Sequence, residues 1–115
     1  MPVKCDILDC DLQDLPLADV IVSNPPYIKS AEIPTLQAEV KREPISALDG
    51  GNDGLIFYRC IASKWASKVK SGGLIACECG DGQSSEILPL FESVAAEKKV
   101  IFDFNNIDRI VVFRI

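Results

Sequence analysis

Two short apolar runs rich in β-formers open the chain, residues 3–8 (VKCDIL) and 19–23 (DVIVS), separated by the acidic, turn-forming segment DCDLQDLPLA. The second run is almost wholly apolar, which predicts a strand covered on both faces of a parallel sheet. It stops at Asn24-Pro25-Pro26-Tyr27, where prolines remove the N–H groups that strand pairing uses. The polar, weakly periodic stretch 31–44 predicts a loop with one short helical turn ending before Pro44, and DGGNDG predicts a glycine-rich turn. From Leu55 the apolar positions Leu55, Tyr58, Ile61, Ala62, Trp65 and Val69 follow helical spacing, with Asp53 placed to cap the start and SGG at 71–73 placed to end the helix.

A strand, LIACEC, and a turn, GDGQ, come next. A second amphipathic helix follows, with Ile87, Leu90, Phe91, Val94 and Ala95 as its buried stripe. Pro89 fits only if that helix starts near Ser85 or Glu86, so that the ring falls close to the first turn. KVIFDF, the link NNI and DRIVVFRI predict two antiparallel strands closing the chain. The order strand, helix, strand, helix, strand, strand is that of an α/β sheet, mostly parallel with a terminal antiparallel hairpin.

Composition narrows the function classes. With 115 residues and 48% hydrophobic side chains, the chain holds one ordinary core, so residues 1–115 are read as one unit. Seventeen acids against 12 bases give a net charge of −5, which weighs against a broad basic face for nucleic acid. Five cysteines (Cys5, Cys10, Cys60, Cys77, Cys79), without a leader segment or framework spacing, predict reduced thiols and a cytoplasmic location. No apolar stretch is long enough to cross a bilayer. The absence of histidine removes imidazole-based triads and most zinc arrangements. Cys77 and Cys79, alternating on one strand, are expected to point to one sheet face and fill core space there.

In an open α/β sheet, ligands gather beyond the carboxyl ends of the strands, and Asn24 stands at such an end. The prolines fix φ and free the Pro25 carbonyl from ladder duty. The Asn24 side-chain oxygen and that carbonyl then form two acceptors matched to the two hydrogens of an NH2 group, with Tyr27 offering a flat face beside them. An amide or aromatic amine is a poor nucleophile because its lone pair is delocalised. Gripping both hydrogens orients the nitrogen for methyl transfer without a strong base.

NPPY resembles the (Asn/Asp/Ser)-Pro-Pro-aromatic signature of S-adenosylmethionine-dependent amino methyltransferases. The longer run VSNPPYI…EI…L…EV…EP…AL.GG.DGL..YR.I, continued by SGGLIACECGDGQ and DRIVVFR, is similar to the release-factor glutamine methyltransferase family (PrmC/HemK). The resemblance implies a Rossmann-like class I fold, S-adenosyl-L-methionine as cofactor, and transfer of a methyl group to the glutamine of the Gly-Gly-Gln loop of peptide-chain release factors. It assigns the substrate carboxamide to Asn24 and Pro25, with Pro26 and Tyr27 packing beside it. Asn24 and Asp11 fall to the cofactor, with Cys10 standing where the family usually has glycine.

Family members carry a glycine-rich turn and a ribose-holding acid ahead of this region, and neither precedes Asp11 here. The chain is therefore read as the C-terminal portion of a methyltransferase domain, expected to be inactive on its own. In the family's sheet, residues 3–8 form a strand whose neighbours this chain lacks. Residues 19–23 then become an exposed edge, expected either to pair directly with residues 3–8 or to drive self-association. Two alternatives stay open: methylation of adenine N6 or another nucleic-acid amine, which shares the tetrapeptide, and a partner-binding module without catalysis.

Overall fold

The computed structural model describes residues 2–36 and 38–115, apart from the side chains of Glu39 and Lys41. Strands β1 (Ala18–Ser23), β2 (Val69–Glu78), β3 (Glu97–Phe102) and β4 (Asp108–Arg114) form one sheet in the order β1-β2-β4-β3. β1 and β2 are parallel, while β4 runs antiparallel to both of its neighbours. β4 alone therefore opposes the other three, as expected for a mostly parallel sheet ending in a hairpin. Helices α1 (Ala38–Lys41), α2 (Ile56–Ser63) and α3 (Ser84–Ile87) are supplemented by short 3-10 turns. The polar stretch thus makes two short turns, a 3-10 turn at Ser30–Thr35 and α1, with Gln37 between them outside the described residues.

The core lies on one face of the sheet. Ile75, Cys77, Val111 and Phe113 point to that face and are covered by Tyr58, Ile61 and Ala62 of α2 and by Ile87 and Phe91 beyond β2. The Phe91 and Phe113 rings stack with centroids 3.8 Å apart. Cys77 and Cys79 are buried as expected, and burial pushes their thiols up to about 12 and about 11.

Four local expectations change. Residues 3–8 form no strand and do not pair with β1. Their carbonyls are taken up by α2 and its end: Trp65 Nε1 donates to the Ile7 oxygen at 2.9 Å and Cys60 Sγ donates to it at 3.3 Å. A β-rich run needs a neighbouring ladder to become a strand, and side-chain donors satisfy this one instead. Second, β1 is covered on one face only: Ile21 packs toward the core, whereas Val20 and Val22 on the other face are 51% and 78% exposed. β1 is also one edge of the sheet, as expected, with β3 at the other.

Third, SGG does not end a helix. α2 stops at Ser63, the turn Trp65–Lys68 follows, and residues 71–73 lie inside β2. There the register jumps from Ala18↔Val69 to Val20↔Leu74, and Gly72 takes a φ of 84° that suits a bulge. Fourth, the residue capping α2 is Leu55. Asp53 stands two residues earlier, accepting from the Leu55 amide at 3.0 Å and ion-pairing with Arg59. The second helix begins at Ser84, one residue early, and tightens at Leu88–Phe91, where Pro89 sits in the first positions of a 3-10 turn.

Candidate functional site

β1 and β2 end together, with Ser23 paired to Cys77, and the chain leaves β1 into Asn24. Asn24 is exposed and Pro25 is buried. Together with Pro26 they form one wall of an open cleft of about 800 Å³, faced by Asp6, Ser46 and Phe57. No hydrogen bond among the described residues engages the Asn24 side chain or the Pro25 carbonyl. Tyr27 lines a second cleft of about 340 Å³ with Lys29, Glu32 and the turn 80–83. The loop is thus a partition, with Asn24 and the prolines lining one cleft and Tyr27 the other.

Backbone contacts too close for side chains hold that partition. Ile28 donates to the Leu48 carbonyl at 3.1 Å and accepts from the Gly50 amide at 2.8 Å, forming a parallel bridge with Asp49. A Cβ at Gly50 would lie 2.8 Å from Tyr27 Cα, one at Gly54 2.5 Å from the Tyr27 oxygen, and one at Gly80 2.9 Å from the Tyr27 ring. Asp49 ties the same turn to the segment after the prolines: its Oδ1 accepts from the Ser30 hydroxyl at 2.6 Å and the Gly51 amide at 2.9 Å. Those bonds hold its carboxyl below the ordinary aspartate range, against a smaller opposing effect of burial. The glycines first read as turn formers therefore also admit the backbone of the proline loop.

Across the second cleft, the Gln83 amide accepts from the Gly80 N–H at 2.7 Å and donates to the Tyr27 carbonyl at 2.9 Å. Behind it Asp108, 5% exposed, accepts from the Gly82 and Ser84 amides at 2.6 and 2.8 Å. Burial pushes the Asp108 carboxyl up, but the bonds from Ser84 and Gly82 outweigh it and hold the group below its ordinary value. Tyr58 donates to the Glu78 carbonyl at 2.6 Å and fixes the end of β2, and burial raises its phenol well above its ordinary pKa.

Sequence reasoning passed over the roles of Gln83 and Asp108. Gln83 lies in a recognised motif, but its partner Tyr27 is 56 positions away. Nothing in the residues around Asp108 marks it as buried. Asp11 is exposed, its Oδ1 accepts from the Gln13 amide at 2.9 Å, and it lines neither cleft.

The larger cleft falls within the 300–1,000 Å³ usual for small-molecule sites. It has room for the methyl donor that a methyltransferase needs, with Asn24 and Pro25 on its wall. Of the two residues the resemblance assigns to that cofactor, the cleft brings in Asn24 and leaves out Asp11.

A mixed α/β sheet with a proline-stiffened acceptor pair at its carboxyl rim is consistent with the C-terminal part of a class I methyltransferase fold. No protein-family model matches the chain. Curated relatives do. The chain is 43% identical over 111 residues to the release factor glutamine methyltransferase of Clostridium acetobutylicum, covering 93% of this chain and 38% of the relative. It is 44% identical over 99 residues to that of Geobacter sulfurreducens, covering 84% and 35%, and 45% identical over 96 residues to that of Caulobacter vibrioides, covering 82% and 33%. By sequence, the chain is similar to the release factor glutamine methyltransferases and spans 33–38% of the length of these three.

Proposed function

We propose that the chain is the C-terminal portion of a methyltransferase domain that uses S-adenosylmethionine to methylate the side-chain amide nitrogen of glutamine in the Gly-Gly-Gln loop of peptide-chain release factors. The observation that carries this reading is the pair of unengaged acceptors, Asn24 and the Pro25 carbonyl, on the rim of an open cleft. The names of the relatives supply the substrate class.

When bound, the cofactor supplies an electrophilic methyl carbon. Asn24 and the Pro25 carbonyl hold the two amide hydrogens and set the plane of the NH2 group. The two prolines restrict the backbone from Asn24 to Pro26, which keeps the acceptors from following the substrate out. Positioning of this kind can remove on the order of 7–11 kcal/mol from a barrier in favourable intramolecular cases. As positive charge grows on the nitrogen, the same oxygens meet it, an effect confined mainly to the transition state.

In this reading the cofactor needs a glycine-rich turn directly after a strand, which the DGGNDG turn does not supply, so the activity is assigned to a longer protein and not to residues 1–115 alone. The open β1 edge supports self-association of this portion by itself. The test uses the longer protein containing residues 1–115. Labelled methyl from S-adenosylmethionine is expected to enter release factor at the Gly-Gly-Gln glutamine and to be absent from an adenine-containing oligonucleotide. Label in the oligonucleotide alone would overturn the substrate assignment.

A further inference from the structure

We propose that Gln83 is a positioning residue for the acceptor pair: its side-chain amide locks the Tyr27–Ile28 peptide and so sets the direction in which Asn24 and the Pro25 carbonyl face the cleft. The inference rests on the function proposed above and adds a residue to it that lies outside the cleft.

The loop has few free torsions. Pro25 and Pro26 have φ fixed by their rings, so the remaining soft torsions are a few ψ angles and those of Tyr27. The Tyr27–Ile28 peptide is held on both sides, its N–H by the Leu48 carbonyl at 3.1 Å and its C=O by Gln83 Nε2 at 2.9 Å. The same amide uses Oε1 on the Gly80 N–H at 2.7 Å. One partner is an obligate donor and the other an obligate acceptor, so the amide has a single workable orientation.

The bond is also part-buried and tightly packed against glycines. A Cβ at Gly54 would lie 2.5 Å from the Tyr27 oxygen and 3.2 Å from Gln83 Nε2, and one at Gly80 would lie 3.0 Å from Gln83 Oε1. The turn carrying Gln83 is anchored in turn by Asp108 through the amides of residues 82 and 84. A continuous set of hydrogen bonds thus runs from the start of β4 to the proline loop. No part of it faces the larger cleft.

Two near-isosteric variants test this. Gln83→Glu keeps the acceptor for Gly80 and replaces the donor to Tyr27 by a second acceptor, while Gln83→Met removes both bonds. In the 115-residue chain, hydrogen exchange of amides 27–30 is expected to rise roughly fivefold or more in each variant, the effect of losing one hydrogen bond, with β2 and β4 amides unchanged. In the longer protein, kcat is expected to fall at least tenfold with cofactor affinity and release-factor KM within about twofold, at a temperature where the variants, though lower in unfolding midpoint, are still fully folded.

Unchanged loop exchange, or a kcat loss that merely tracks the unfolding midpoint, would overturn the proposal. Should Gln83→Glu fail to fold, Gln83→Met decides. If the wild-type longer protein transfers no methyl to release factor, the functional reading fails by itself, and loop exchange still decides whether Gln83 holds the loop.

Discussion

Gly54 and Gly72 make a matched pair for measuring how tightly the proline loop is held. Both have positive φ, 77° and 84°, so alanine at either position carries the same left-handed penalty of about 1–2 kcal/mol. Both also gain the same few tenths of a kcal/mol from a less flexible unfolded chain. Their surroundings differ. A Cβ at Gly72 meets nothing within 4 Å, whereas one at Gly54 would stand 2.5 Å from the Tyr27 oxygen.

Restoring an ordinary contact at Gly54 needs a displacement of roughly 1 Å, enough to break the Gln83–Tyr27 bond and leave a part-buried carbonyl without a partner. That adds about 1–3 kcal/mol. Gly54→Ala should therefore be less stable than Gly72→Ala by about 1–3 kcal/mol, read as a urea midpoint roughly 1 M lower at an unchanged slope. Equal midpoints for the two variants would refute the claim that the glycine turn clamps the loop.

Asn24→Ala in the longer protein should lower kcat by about 10²–10³, the scale seen when one preorganised transition-state contact is removed, with cofactor affinity little changed; equal losses in both would point to misfolding. Asp108→Asn should cost about 1.5–3 kcal/mol at pH 7 in denaturant titrations, because two backbone amides lose a charged acceptor. The folded Asp108 carboxyl lies below its unfolded value, so its contribution is complete above about pH 4 and disappears as pH falls through the folded pKa. The gap between wild type and variant should accordingly close in acid, and a gap that persisted there would contradict the assignment.

Short-range pattern by itself determined a good deal. Periodicity located α2 and the buried stripe on Tyr58, Ile61 and Ala62, and the close spacing of two β-rich runs dictated the terminal hairpin. NPPY declared its strand end because proline chemistry acts on its own backbone. The alternation of Cys77 and Cys79 with outward residues was likewise enough to bury them.

Tertiary structure decided whatever depended on a partner far along the chain. Residues 3–8 have the composition of a strand, yet a strand exists only beside a ladder, and Trp65 and Cys60 claim the Ile7 carbonyl instead. SGG reads as a helix end in sequence and becomes a bulge because Val69 is already paired with Ala18. The contacts of Tyr27 with Gly54 and Gln83, and of Asp108 with the turn at 82–84, join segments 24 to 56 residues apart. Local pattern encodes which way a backbone can bend, but which distant groups meet, and therefore where a freed carbonyl is aimed, is fixed only when the chain closes on itself.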